Sequence, residues 1–232
     1  MPAERWFAMR KLLAIIPVVA LCVAMAVPAG AVDLDPRLYP PDADINGGSY
    51  PEWLARWSIW FNELPFDVNP VVDIDSPENC SPQDGGVVFA GPLGANCSVP
   101  EGMGIALSTV GWECSTAEGL GDTFAELRKC ARQNFALDFG PNSSDRYRMW
   151  LDGVRVSHRR AWTFLTSGEI IDFPEDNIWG AVPGPSKSVT KAILYVFRPM
   201  SVGDHRVLIK GSNDVIGSYR FVWKFHVKGY GS

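Results

Sequence analysis

Four cysteines behind an export-type leader limit this chain more than any other feature. Arg5, Arg10 and Lys11 give a positive start, Leu12 to Val27 form an uncharged apolar run, and Pro28-Ala29-Gly30-Ala31 supply a small-residue cleavage site. This order predicts a secretory signal over residues 1–31, cut after Ala31. The apolar run is about 16 residues, short of the roughly 20 that span a bilayer. A retained anchor is the alternative; lipidation at Cys22 is disfavoured because Leu21 stands where a small residue is needed. The predicted localisation is secreted or extracytoplasmic. There Cys80, Cys97, Cys114 and Cys130 are an even set that can pair. Of the three connectivities, Cys80–Cys97 with Cys114–Cys130 closes the shortest loops and is preferred. Each bridge would contribute about 3 kcal/mol by restricting the unfolded chain. A zinc site is disfavoured, since the chain has no C-x-x-C and no histidine close in sequence to these cysteines.

Charge narrows the partners. The chain carries −5 at neutral pH, and removing three basic groups and Glu4 with the leader brings the remainder to about −7. Nucleic acid and anionic membranes call for a positive footprint, so neither is expected. No stretch after the leader is long and apolar enough to span a bilayer. The predicted organisation is a signal peptide over 1–31, an extended Pro-, Asp- and Gly-rich arm over 32–48, and one disulfide-stapled, β-rich domain over 49–232.

Two helices are legible in the first half. Ser49 and Glu52 fit a capping box, Trp53, Trp57, Trp60, Phe61 and Leu64 recur at helical spacing, and Pro65 ends the run. A second capping box, Thr123 with Glu126, opens a helix whose apolar face is Phe124, Leu127, Ala131, Phe135 and Phe139. Short strands are expected at Val87–Ala90 and Gly104–Thr109, with 65–85 a long acidic loop. Beyond Arg146 the period changes to two. Tyr147, Met149 and Leu151 lead to the hairpin signal Asp152-Gly153, and a strand is expected within His158–Leu165. Ile170–Phe173, Ala192–Phe197 and Val207–Lys210 follow, with 174–188 read as a loop. In the last strand Tyr219, Phe221, Trp223, Phe225 and Val227 face one way, and Arg220, Lys224, His226 and Lys228 the other. Strand after strand without interleaved helices predicts a mainly β fold, an antiparallel, jelly-roll-like β-sandwich with two helices contributed by the first half.

Two stretches resemble a functionally uncharacterised family of secreted bacterial proteins. The first runs from W-x3-W-x2-W-F (Trp53 to Phe61) through Asn69-Pro70-x2-Asp73 and Cys80-x2-Gln83-x-Gly85-x-Val87-x-Phe89-x-Gly91 to Cys97-x-Val99-Pro100-x-Gly102. The second is Gly203-x-His205 and the aromatic final strand. The resemblance implies export, a Cys80–Cys97 bridge and a single domain, and implies no chemistry.

Catalytic motifs are missing: there is no G-x-S-x-G, H-E-x-x-H, P-loop or G-x-G-x-x-G. Three sets of residues remain as candidates. Trp112 and Trp179, flanked by glycine and acid, could stack on sugar rings. His205 and His226, with Arg220, could bind a ligand or move a proton if their strands pair. Asp73, Asp75 and Glu78, with Asn69 and Asn79 nearby, could offer oxygens to calcium, although the spacing is not that of an EF-hand. No other cofactor is expected. The sequence therefore predicts an exported module that binds a glycan or cell-surface polymer without catalysis. The alternatives are an extracellular hydrolase using carboxylates or the histidine pair, and a structural protein of the cell envelope.

Overall fold

The computed structural model describes residues 34–83, 85–140, 148–156, 162–213 and 217–229. The leader over 1–31, Tyr147 and His158 lie outside the described residues. Residues Asp33–Ser232 make one compact unit.

The element order is α1 (Tyr50–Asn62), β1 (Cys80–Gln83), β2 (Val87–Ala90), β3 (Gly94–Pro100), β4 (Gly104–Ser115), α2 (Phe124–Phe139), β5 (Arg148–Leu151), β6 (Val154–Val156), β7 (Thr163–Leu165), β8 (Glu169–Phe173), β9 (Gly184–Phe197), β10 (Gly203–Asn213) and β11 (Gly217–Lys228). Two sheets form. One runs β1-β2-β4-β9-β7, with β8 also on β9, and the other runs β3-β11-β10-β5-β6. The fold is mainly β with two helices from the first half, as the period-two pattern required. The sheets are mixed rather than purely antiparallel, because β2 pairs β4 and β3 pairs β11 in parallel. Both are set by which strands become neighbours in the sheet, a relation that alternation along one strand does not reveal.

One core lies between the sheets. Ile105, Leu107, Val207, Ile209, Trp223 and Phe225 all belong to it and are almost fully buried. The Trp223 indole donates to the Gly91 carbonyl at 2.7 Å, tying the second sheet to the end of β2. The 34–48 segment holds only turns and isolated bridges, yet it is anchored: Leu38 bridges Phe197, and Leu38 and Ile45 are buried.

Both capping boxes form. Glu52 accepts from the Ser49 amide at 2.7 Å, and Glu126 from the Thr123 amide at 3.0 Å. The helices cover opposite faces of the first sheet. Ser58 of α1 hydrogen-bonds the Thr190 hydroxyl of β9 at 2.6 Å. The neighbouring Val189 packs with Leu127 and Ala131 of α2, and the Lys191 ammonium lies 5.2 Å from the Phe135 ring centroid. Successive residues of a strand point to opposite faces, so the two contact sets define two faces.

Both preferred disulfides are present, Cys80–Cys97 and Cys114–Cys130. The second fastens α2 to β4, as the placement of Cys130 beside the apolar face suggests. Asp152 and Gly153 both adopt positive φ (51° and 79°), the geometry of a two-residue turn, and join β5 to β6. Several strand boundaries differ from expectation: β4 runs past Thr109 to Ser115 and so carries Trp112, β10 spans Gly203–Asn213 rather than Val207–Lys210, and three further differences fall in polar segments. The acidic loop ends in β1, the Cys97–Pro100 segment is part of β3, and residues 184–188 of the expected loop begin β9, where they pair with β8. Polar composition disguised all three; each is held by a neighbouring strand rather than by its own pattern.

Candidate functional site

Strand β4 outruns its neighbour. It pairs with β2 only through Leu107, whereas its pairing with β9 continues to Ser115. Beside the stretch that β2 does not reach lies a cleft of about 430 Å³, within the usual size range of small-ligand sites. The C-terminal half of α1 lines it with Trp57, Ser58, Phe61 and Asn62, and β4 with Ser108 to Glu113. Trp179 from the β8–β9 loop, Asp138 and Phe139 from the end of α2, Leu93, and Phe221 of β11 complete it.

One wall is a run of rings. Trp57 stacks on Phe61 with centroids 4.9 Å apart, and Phe61 meets Trp179 edge-on at 6.5 Å. The Trp179 indole donates to Asn62 Oδ1 at 2.6 Å, and Asn62 in turn donates to the Ser58 carbonyl at 2.8 Å. Trp179 is thereby held by its nitrogen while 46% of its surface stays exposed. A ring fixed at one edge and open on its face is suited to stacking.

Trp112 and Glu113 are adjacent on β4 and so point to opposite faces, Trp112 opposite Lys191 and Glu113 opposite Thr190. Both nevertheless line the cleft, because it wraps the strand edge. The Ser188 hydroxyl donates to Glu113, and the Ser115 hydroxyl donates to Glu118 at 2.8 Å. Burial first, and the Glu118 carboxyl beside it second, push the Glu113 carboxyl up to about 9. Glu169 of β8 is only 7% exposed, and neither of its carboxyl oxygens has a hydrogen-bond partner among the described residues. Burial raises it to about 7, against a weaker opposing pull from the hydroxyls of Thr166, Thr190 and Ser58.

The two tryptophans named from sequence therefore share one cleft. The other candidates do not assemble. In the β10–β11 register Asp204 faces His226 while His205 faces Phe225, which puts the histidines on opposite faces of their sheet. His205 bonds Asp152 at 2.7 Å and His226 bonds Asp204 at 2.7 Å, each closing its own local pair. Arg220 lies six residues from His226 on the same strand, about 20 Å away along an extended chain. These facts remove the histidine-pair hydrolase and the joint His205, Arg220 and His226 site. The calcium set does not converge either: among the described residues no group of three histidine, cysteine or acidic side chains could hold a metal ion. Asp73 instead accepts from the Asp75 amide, and the Asn69 and Asn79 amides donate to backbone carbonyls, bracing the loop from within. Ser76 and Asn79 are buried there.

Trp57, Phe61, Glu113 and Glu118 were not singled out from sequence as site residues. Trp57 and Phe61 sit in a stripe that reads as helix packing, and most of that stripe is packing. A weak signal existed in Gly111-Trp112-Glu113, where a bare glycine adjoins an aromatic and an acid on a strand; Gly111 is exposed.

Comparison with known proteins adds little. No family model and no curated protein sequence matches the chain. One solved structure, titled "Solution Structure of Amebosin", is similar at 9% identity over 61% of this chain and 96% of its own, with a TM-score of 0.20, too low to carry an argument.

Proposed function

We propose that this protein is an exported binding module that captures a ligand with flat apolar faces, of the glycan or cell-surface polymer kind, in the cleft beside β4. One observation carries the reading: Trp112 and Trp179, far apart in sequence, line the same open cleft with Trp57 and Phe61. Aromatic faces reward ring and chain surfaces without demanding a particular hydrogen-bond pattern. The leader sequence and the two disulfides support export. A purely structural role would leave unexplained why Trp179 is tethered through its nitrogen and otherwise exposed.

A hydrolase reading draws on the neighbouring Glu113 and Glu118 carboxyls. A paired-carboxylate hydrolase needs its two carboxyls about 5 Å or more apart, flanking the bond that is cleaved, whereas Glu113 and Glu118 engage each other directly, so capture is the simpler function.

The test is saturable binding across a polysaccharide panel, followed by titration of Trp112→Leu and Trp179→Leu. Both variants should keep the native near-ultraviolet circular dichroism apart from one indole. Each should bind at least about fivefold more weakly, since stacking on one ring is worth roughly 1–3 kcal/mol. Folded variants that bind as well as the parent would refute the assignment. Turnover of any panel member, abolished by Glu113→Gln, would replace it with the hydrolase.

A further inference from the structure

We propose that the cleft selects a ligand carrying a positive charge beside an apolar face, an organic cation such as an alkylammonium or an amino sugar. The inference rests on the binding reading and narrows its ligand class.

The charge inventory is one-sided. Glu113, Glu118 and Asp138 line the cleft, and no lysine, arginine or histidine does so among the described residues. A fourth carboxyl, Glu169, sits near the Ser58–Thr190 hydroxyl pair that forms part of the lining. Its two oxygens are buried, and only the Thr166, Thr190 and Ser58 hydroxyls, with no cationic side chain, act to offset them. Apolar walls concentrate the field of such groups, because the low-dielectric surroundings screen them less than water would. The rings act in the same direction. Trp179, 46% exposed, and the partly exposed Trp112 line the cleft with rings whose faces attract ammonium groups, with tryptophan the strongest of the aromatic residues in this role. Lys191, opposite Trp112 on β9, is engaged elsewhere, its ammonium covering the Phe135 ring. A carboxylate or phosphate entering this space would meet acidic side chains and no cationic one. A neutral ligand would gain the apolar contact alone. An organic cation gains apolar contact, cation–π attraction and the carboxyls together.

Calorimetric titration with two matched pairs of probes tests the proposal and separates its sources. One pair is octyltrimethylammonium and octan-1-ol, and the other is the glucosamine trimer and its N-acetylated counterpart, which is neutral. The charged member of at least one pair should bind about tenfold or more tightly than its neutral partner. The pair that responds identifies whether the source is lipid-like or sugar-like. The double variant Glu118→Gln/Asp138→Asn should remove most of that preference, read as the ratio of charged to neutral affinity. Equal or tighter binding of the neutral member in both pairs would overturn the charge preference while leaving a binding cleft. A preference that survives the double variant would reflect general attraction to an acidic protein and would also overturn it. If none of the four probes and no panel polysaccharide binds, the binding reading itself falls.

Discussion

Replacing Glu169 with glutamine should stabilise this protein at alkaline pH and not at acid pH. The carboxyl is 7% exposed and its oxygens have no hydrogen-bond partner, so ionising it inside the fold is costly. Its ordinary value of 4.5 is raised to about 7 by that burial. The folded protein therefore holds this proton until about pH 7, while the unfolded chain releases it near 4.5. Across that window the native state binds more protons than the unfolded state, so stability falls as pH rises. Below the window the carboxyl is neutral in both states and costs nothing extra. Above it the full cost is present, about 3 kcal/mol at 1.36 kcal/mol per pH unit. The amide of Glu169→Gln leaves its own donors poorly paired, a penalty of about 1–3 kcal/mol that does not vary with pH. The informative quantity is thus the change in the difference between variant and parent. Urea unfolding followed by tryptophan fluorescence, with disulfides intact, should show that difference moving by about 3 kcal/mol in the variant's favour between pH 4.5 and pH 8. Glu113 titrates in both proteins, so to first order its contribution cancels. A difference that stays constant with pH would show that Glu169 is hydrated or paired in solution, and the account of this buried acid would be wrong.

Other perturbations probe separate joints of the structure. Gly91→Ala should destabilise by about 1–3 kcal/mol in the same assay, because the added Cβ would lie 2.0 Å from Asn79 Oδ1 and 2.5 Å from Pro70 Cβ; an unchanged midpoint would contradict the packing where β2 meets the acidic loop. Asp152→Asn keeps a residue type that tolerates positive φ and removes a charge from His205. Burial pulls that imidazole down, and the Asp152 carboxylate and the Ser201 carbonyl raise it above its ordinary value, so its NMR titration should shift to lower pH in the variant. The parent's advantage from this pair is present below the unfolded-state value of 6.5 and fades as pH rises through the folded-state value; an unmoved titration would break the pair. Capture of an organic cation should release protons at pH 7, since a positive charge beside Glu113 favours its ionised form and lowers a carboxyl otherwise held at about 9 by burial and Glu118. Affinity should then rise with pH towards 9, and calorimetry in buffers of different ionisation heat should show the release; a heat independent of buffer would contradict it.

Local chemistry made much of this fold legible. The capping boxes at Ser49 and Thr123, the Asp152-Gly153 turn, and the alternation from Tyr219 to Val227 each fix a backbone choice within a few residues. The disulfide pairing followed because neighbours in sequence close short loops. Partnership between distant strands was not legible. Nothing in Gly94–Pro100 announces a parallel pairing with Val222–Lys228, and Ser81 and Ser186 look like loop residues until a neighbouring strand is supplied. The cleft has the same origin. It exists because β2 stops at Ala90 while β4 continues to Ser115, a difference in length between paired strands that no single segment encodes. Trp112 and Trp179 stood out because they fall outside the helical stripe and are flanked by glycine and acid. Glu113 did not, because an acid on a strand ordinarily faces water, and here the strand edge turns it into a cavity. His205 and His226 misled for a simple reason: pairing of their strands was foreseen, but the register that decides which face each residue takes was not.

Indole resonances offer the most direct check on where this protein holds a ligand. In a titration with octyltrimethylammonium followed by NMR of the indole N–H groups, Trp57, Trp112 and Trp179 should shift together and saturate at one equivalent, while the deeply buried Trp162 and Trp223 stay in place. Shifts centred on other indoles, or none at ligand concentrations that saturate calorimetric binding, would place the site elsewhere and leave the cleft beside β4 without the function assigned to it.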